Sequence, residues 1–197
     1  MEHYNYNLFN KNSLKIIRSL MYEKRYFSQI YQECGIKSKN NLLKNLNILT
    51  KFKIIKKDVG KGNTFYAINY ESSLAVSLLN LINYIKFESL DFERKEAVKE
   101  AVKEAKPAMA VLFGSSAKGD FKKQSDIDLL LVYDKKFKME SKTNRIKQIS
   151  SRYGMKINPV IISFSEINLF DPAIKHIFKT GYPLTGEIYF YEAIKNV

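Results

Sequence analysis

Cysteine is nearly missing from this sequence: Cys34 is the only one in 197 residues. No disulfide and no cysteine-based metal cluster can form within one chain, which suits a reducing compartment. Histidine is almost as scarce, and His3 and His176 form no site. No apolar run approaches the ~20 residues that a membrane-crossing helix needs. The opening MEHYNYNLFNKNS has no apolar leader, so a cytoplasmic location is expected. There is no internal repeat and no G-x-x-x-x-G-K-[ST] phosphate loop.

Positive charge is plentiful. The chain carries 33 Lys and Arg against 20 Asp and Glu, a net +13. The excess is uneven: residues 1–70 hold 13 against 4, residues 71–106 hold 6 against 7, and residues 107–197 hold 14 against 9. A basic first third points to a polyanionic partner, with nucleic acid the first expectation. The hydrophobic share of 45% is ordinary and allows a real core.

Periodicity divides the chain into three segments. In residues 1–70, Leu14, Ile17, Leu20 and Met21 recur at helical spacing, and YFSQIYQECG reads as a short second helix closed by Gly35. A third helix opens at Ser38 and runs through KNNLLKNLNILTK, with Leu42, Leu43, Leu46 and Leu49 on its apolar side. Lys39, Asn40, Asn41, Lys44 and Asn45 are expected on the other side. KIIKKDV and TFYAIN read as strands joined by a GKGN turn. Three helices followed by a hairpin resemble a winged helix-turn-helix. That resemblance implies contacts to double-stranded DNA from Lys39, Asn40, Asn41 and Lys44 in the groove, and from Lys61 in the wing.

Residues 71–106 read as a helical linker. SLAVSLLNLINYIKF is apolar on nearly every face, so burial on several sides, between domains or in a homodimer, is expected. FERKEAVKEAVKEAK carries a narrow stripe of Ala97, Val98, Ala101, Val102 and Ala105 and reads as a solvent-facing helix with one packed edge. Pro107 ends it.

Residues 107–197 alternate strands and helices, so the whole chain is expected to be α+β, its third segment built on a small mixed sheet flanked by helices. The chemistry concentrates in VLFGSSAKGDFKKQSDIDLLLV, residues 111–132. A strand delivers the chain to a Gly-Ser turn, where glycine lets backbone approach a ligand closely. Eleven residues after Ser115 comes Asp126, with Asp128 two further on. Strand side chains alternate, so both carboxylates point to one side while Ile127 and Leu129 point to the other. Two carboxylates this close repel, and one takes up a proton unless a cation lies between them. A hard divalent ion such as Mg²⁺ answers that need.

With those residues in place, the stretch resembles the nucleotidyltransferases of the DNA polymerase β superfamily, above all their minimal prokaryotic members. Gly114, Ser115, Gly119, Ser125, Asp126 and Asp128 carry the likeness, over roughly residues 108–163. The resemblance implies that Asp126 and Asp128 are catalytic and hold two Mg²⁺ ions. It also implies that Gly114, Ser115, Ser116, Lys118 and Ser125 bind an NTP, whose nucleotidyl group passes to a nucleic-acid or protein acceptor. The third carboxylate of active members is replaced here by Asn158, which can offer Mg²⁺ an oxygen but cannot act as a base. Lys118 stands where arginine is frequent in the family. Two readings follow. One is a transferase guided by a DNA-binding module. The other is a DNA-binding regulator or antitoxin-like component, with a protein partner, whose degenerate transferase domain senses a nucleotide.

Overall fold

The computed structural model describes residues 10–60, 63–122, 125–134 and 139–195, and the side chains of residues 139–141 are not among those described. Lys61, expected in the wing, lies outside the described residues. The chain divides into two compact units, Met1–Leu79 and Asn80–Val197.

In the first unit, α1 (Lys11–Leu20) starts at Asn10, whose side chain accepts from the backbone amides of Asn12 and Ser13. Then come β1 (Arg25–Tyr26), α2 (Phe27–Cys34) and α3 (Lys39–Lys51). Gly35 ends α2 in the left-handed conformation. The strands β2 (Ile55–Val59) and β3 (Thr64–Ile68) pair antiparallel, and β1 joins the far side of β3, giving the order β1-β3-β2. Ile16, Ile17 and Leu20 of α1 share a core with Ile30, Leu42, Leu46 and Leu49. Strand β1 has two residues and no periodicity to read, and it is absent from the sequence expectation.

One face of α3 differs from that expectation. Asn45 is buried and Leu43 is exposed. The buried stripe runs 42, 45, 46, 49, the i, i+3, i+4, i+7 spacing of a single helix face. Asn45 is tolerated inside because every polar atom of its amide is bonded. Its Oδ1 accepts from Asn10 Nδ2 at 2.8 Å and Ser13 Oγ at 2.9 Å. Its Nδ2 donates to Asn41 O at 2.7 Å and Asn41 Oδ1 at 2.8 Å.

Residues 71–106, read together as a linker, are shared between the units. Helix α4 (Ser73–Glu88) crosses the division, whereas α5 (Phe92–Ala105) lies wholly in the second unit. α4 buries Ala75, Leu78, Leu79 and Ile82 but exposes Leu81, Tyr84 and Ile85, so its apolar character is not covered on all sides.

The second unit holds a four-stranded sheet of order β6-β5-β4-β7. Its strands are β4 (Met109–Phe113), β5 (Ile127–Tyr133), β6 (Ile157–Ser163) and β7 (Tyr182–Thr185). β5 pairs antiparallel with β4 and parallel with β6, so the sheet is mixed. β4 and β5 are almost wholly buried, which explains why MAVLF and LLLVY read as unbroken apolar runs. Leu112, Leu129 and Leu131 pack with Ala97, Val98 and Ala101 of α5 and with Ile146 and Ile149 of α7 (Met139–Tyr153). Phe178 of α8 (Pro172–Thr180) stacks on Phe190 of α9 (Glu187–Ile194), with ring centroids 5.2 Å apart. Between β4 and β5 lies the short helix α6 (Gly114–Lys118).

Candidate functional site

β5 begins at Ile127, one residue after Asp126, and its register sets Asp128 between Phe113 of β4 and Asn158 of β6. The residue at the expected third-carboxylate position is therefore a direct cross-strand neighbour of the second aspartate. Asn158 Nδ2 donates to Asp126 Oδ2 at 3.0 Å and to Asp128 Oδ1 at 3.2 Å. Lys156 Nζ reaches the same Asp126 Oδ2 at 3.1 Å. The two carboxylates thus point to one side of β5 and converge on one amide.

This arrangement sets hydrogen-bond donors against the carboxylate pair. The amide bond from Asn158, and then the bond from the Lys156 ammonium, hold the Asp126 carboxyl below its ordinary pKa.

The Gly-Ser turn abuts Asp128. Gly114 has φ +70°, and a Cβ there would overlap Asp128 Oδ2 and lie 3.1 Å from its Cγ. Only glycine combines this conformation with so close a carboxylate. Ser115 is half-buried and Lys118 is exposed beside it.

Ser116 and Ser125 serve the loop itself. Ser116 is buried; its hydroxyl accepts from Arg94 Nη1 at 3.0 Å and donates to Asp126 O at 3.5 Å. Ser125 Oγ accepts from the Lys122 amide at 2.8 Å, closing a small turn. Of the five residues expected to meet a nucleotide, Gly114, Ser115 and Lys118 remain open to one. Ser116 and Ser125 have their hydroxyls engaged within the fold.

Arg94 is the residue that the sequence reading missed. It lies in α5, read as solvent-facing, yet its side chain is fully buried. Nη2 donates to Ser125 O at 3.0 Å and Lys122 O at 3.4 Å, and Nη1 also reaches Asp126 O at 3.4 Å. Nε lies 3.4 Å from Asp91 Oδ2, and the guanidinium sits 4.6 Å from the Phe121 ring centroid. One arginine therefore pins the loop that presents Asp126 to α5. The signal in the sequence was position alone: Arg94 precedes Ala97, Val98 and Ala101 on their own helical stripe.

The oxygens present fit one hard divalent ion. Asp126 and Asp128 supply carboxylate ligands, and rotation of the Asn158 amide would turn its Oδ1 toward them. A second ion finds no third carboxylate; no cluster of three metal-binding side chains occurs among the described residues.

In the first unit, Lys39, Asn40, Asn41 and Lys44 are all exposed on the first turns of α3. Asn41 Oδ1 is engaged by Asn45, which leaves its amide hydrogens as outward groups.

Residues 93–181 match a family model described as a nucleotidyltransferase domain. The matched span takes in Arg94, the Gly-Ser turn, both aspartates and Asn158. The match lies within the second unit and spans less than half of the chain. No curated protein matches the chain.

Proposed function

We propose that this protein binds an NTP with one Mg²⁺ ion through its second unit and double-stranded DNA through its first, and that it transfers nucleotidyl groups poorly. The nucleotide reading rests on one observation above all: Asp126 and Asp128 converge on Asn158 beside a glycine turn that Asp128 itself closes. A scaffold gains nothing from two adjacent charges, whereas a phosphate–metal site requires them. Asp126, Asp128 and Asn158 hold the ion, and Gly114, Ser115 and Lys118 meet the phosphates. When bound, Mg²⁺ supplies charge neutralisation at the phosphate oxygens. Asn158 has no proton-accepting charge, so nothing at that position takes the proton from an acceptor hydroxyl.

Calorimetric titration of the full chain with ATP, GTP, CTP and UTP in Mg²⁺ tests the binding. Saturable heat with at least one NTP, lost in Asp126→Ala/Asp128→Ala, is expected. Absence of heat with all four contradicts the reading.

The helix–strand–helix–helix–strand–strand order with sheet order β1-β3-β2 supports a winged helix in the first unit, with α3 as the groove-reading helix. The exposed Lys39, Asn40, Asn41 and Lys44, and the 13 to 4 charge excess of residues 1–70, support a DNA partner. Duplex binding should weaken steeply with salt, in proportion to the phosphates neutralised. Flat or absent binding at low salt favours a protein-docking role.

A second reading, an active transferase with a nucleic-acid or protein acceptor, is favoured by the intact Asp-x-Asp pair. Robust transfer from labelled NTP, abolished in Asp126→Ala/Asp128→Ala, would establish it in place of the first.

A further inference from the structure

A cavity of about 960 Å³ opens beside Asp126, near the upper end of the roughly 300–1,000 Å³ usual for ligand pockets. Its wall includes Asp126 but neither Asp128 nor the Gly114–Lys118 turn. Phe92, Phe121 and Tyr153 give that wall an aromatic character. Two of the rings are held. The Arg94 guanidinium lies over Phe121, and the Tyr153 hydroxyl donates to Glu100 Oε2 at 3.1 Å. The third, Phe92, opens α5 and is 74% exposed.

The charges of the wall narrow the occupant. Asp91, Glu93 and Asp126 stand against Lys156 in the wall, with Arg94 paired to Asp91 and Lys156 to Asp126. Three carboxylates against two cations leave a net negative wall, which disfavours a phosphate or a nucleic-acid backbone in this space. They leave a flat, neutral group, and aromatic side chains stack on the face of any nucleobase.

We propose that this cavity is the nucleobase subsite of the bound NTP, with Phe92 as its stacking platform. The inference rests on the nucleotide reading above. Asp126 belongs both to the cavity wall and to the carboxylate pair, so the cavity adjoins the site assigned to the phosphates.

The test compares full-length wild type, Phe92→Ala and Phe92→Tyr in Mg²⁺, titrated with the four NTPs and with inorganic tripolyphosphate. Phe92→Ala is expected to weaken NTP binding by about tenfold or more. Phe92→Tyr should restore most of the loss, and tripolyphosphate affinity should stay the same in all three proteins. Unchanged NTP affinity in Phe92→Ala overturns the proposal and assigns the cavity to an acceptor or a protein side chain. Tripolyphosphate that binds wild type as tightly as every NTP also overturns it, while leaving the phosphate site standing. If neither NTP nor tripolyphosphate binds wild type, the nucleotide reading falls and the base subsite with it.

Discussion

Each unit of this chain is organised around one buried polar side chain, and the two differ in kind. In the first unit Asn45, a neutral amide, makes four hydrogen bonds, two of them to Asn41. In the second, Arg94 carries a full charge out of water and binds a loop rather than a helix. The amide orients one outward residue on a helix that would form without it. The arginine holds the carbonyls of Lys122, Ser125 and Asp126 itself. Removing one partner from a buried neutral network costs about 1–3 kcal/mol, whereas breaking a buried charge network costs about 3–5 kcal/mol. The second unit should therefore be the more brittle at its site.

The sharpest way to break that contrast is Arg94→Ala. Removing the guanidinium takes the donor away from the Ser125 and Lys122 carbonyls and from the Ser116 hydroxyl. We expect a loss of about 3–5 kcal/mol in urea unfolding of the second unit. Asn45→Leu, by comparison, should cost the first unit about 1–3 kcal/mol, since Asn10 and Ser13 lose a shared acceptor. It should also lower duplex DNA affinity through Asn41. If Asn45→Leu proves the costlier change, the contrast is wrong.

Gly114→Ala sharpens the comparison within the second unit. Its φ costs an L-residue about 1–2 kcal/mol, and its Cβ displaces the Asp128 carboxylate. Circular dichroism should show a folded chain, while calorimetry shows NTP binding lost. Asn158→Asp restores a third carboxylate and removes the shared donor, so Mg²⁺ affinity should rise by about tenfold. Titration with Mg²⁺ in the absence of nucleotide reads this directly.

The smallest effect is in pH. The carboxyl of Asp126 is lowered in the folded state, so its contribution to stability is present above the unfolded value of about 3.9. That contribution is lost as pH falls through the lowered folded value. Asp126→Asn should flatten this part of the acid-unfolding curve. A curve with the same slope as wild type would show that the Asn158 and Lys156 contacts do not persist in solution.

The comparison also explains what could be read without coordinates. The Gly-Ser turn and the alternation of Asp126 and Asp128 were legible because strand period is written in the local sequence, whereas Asn158 came from the family resemblance, since the β5–β6 pairing that sets it opposite Asp128 is not written there. The helices of both units were legible from their period in the same way. Arg94 and Asn45 were not. Each is a polar residue on an apolar stripe, and periodicity assigns such residues to solvent unless a partner far along the chain is known. The partners lie 28 to 32 residues away from Arg94 for its loop carbonyls, and 32 and 35 residues away from Asn45 for Ser13 and Asn10. Lys156 was missed similarly: its meeting with Asp126 depends on the parallel pairing of β5 and β6, which apolar runs alone do not specify. Ser116 and Ser125 looked like ligand groups because a Gly-Ser turn invites that reading, but Arg94 and the turn at Lys122 use them first.

The central claim is a single divalent-ion site formed by Asp126, Asp128 and Asn158 together with a nucleotide. Paramagnetic resonance of Mn²⁺, titrated into the full chain with a saturating non-hydrolysable NTP analogue, measures it most directly. One protein-bound Mn²⁺ per chain, abolished by Asp126→Ala/Asp128→Ala, is expected. No bound ion, two ions per chain, or one ion that survives the double substitution would contradict it.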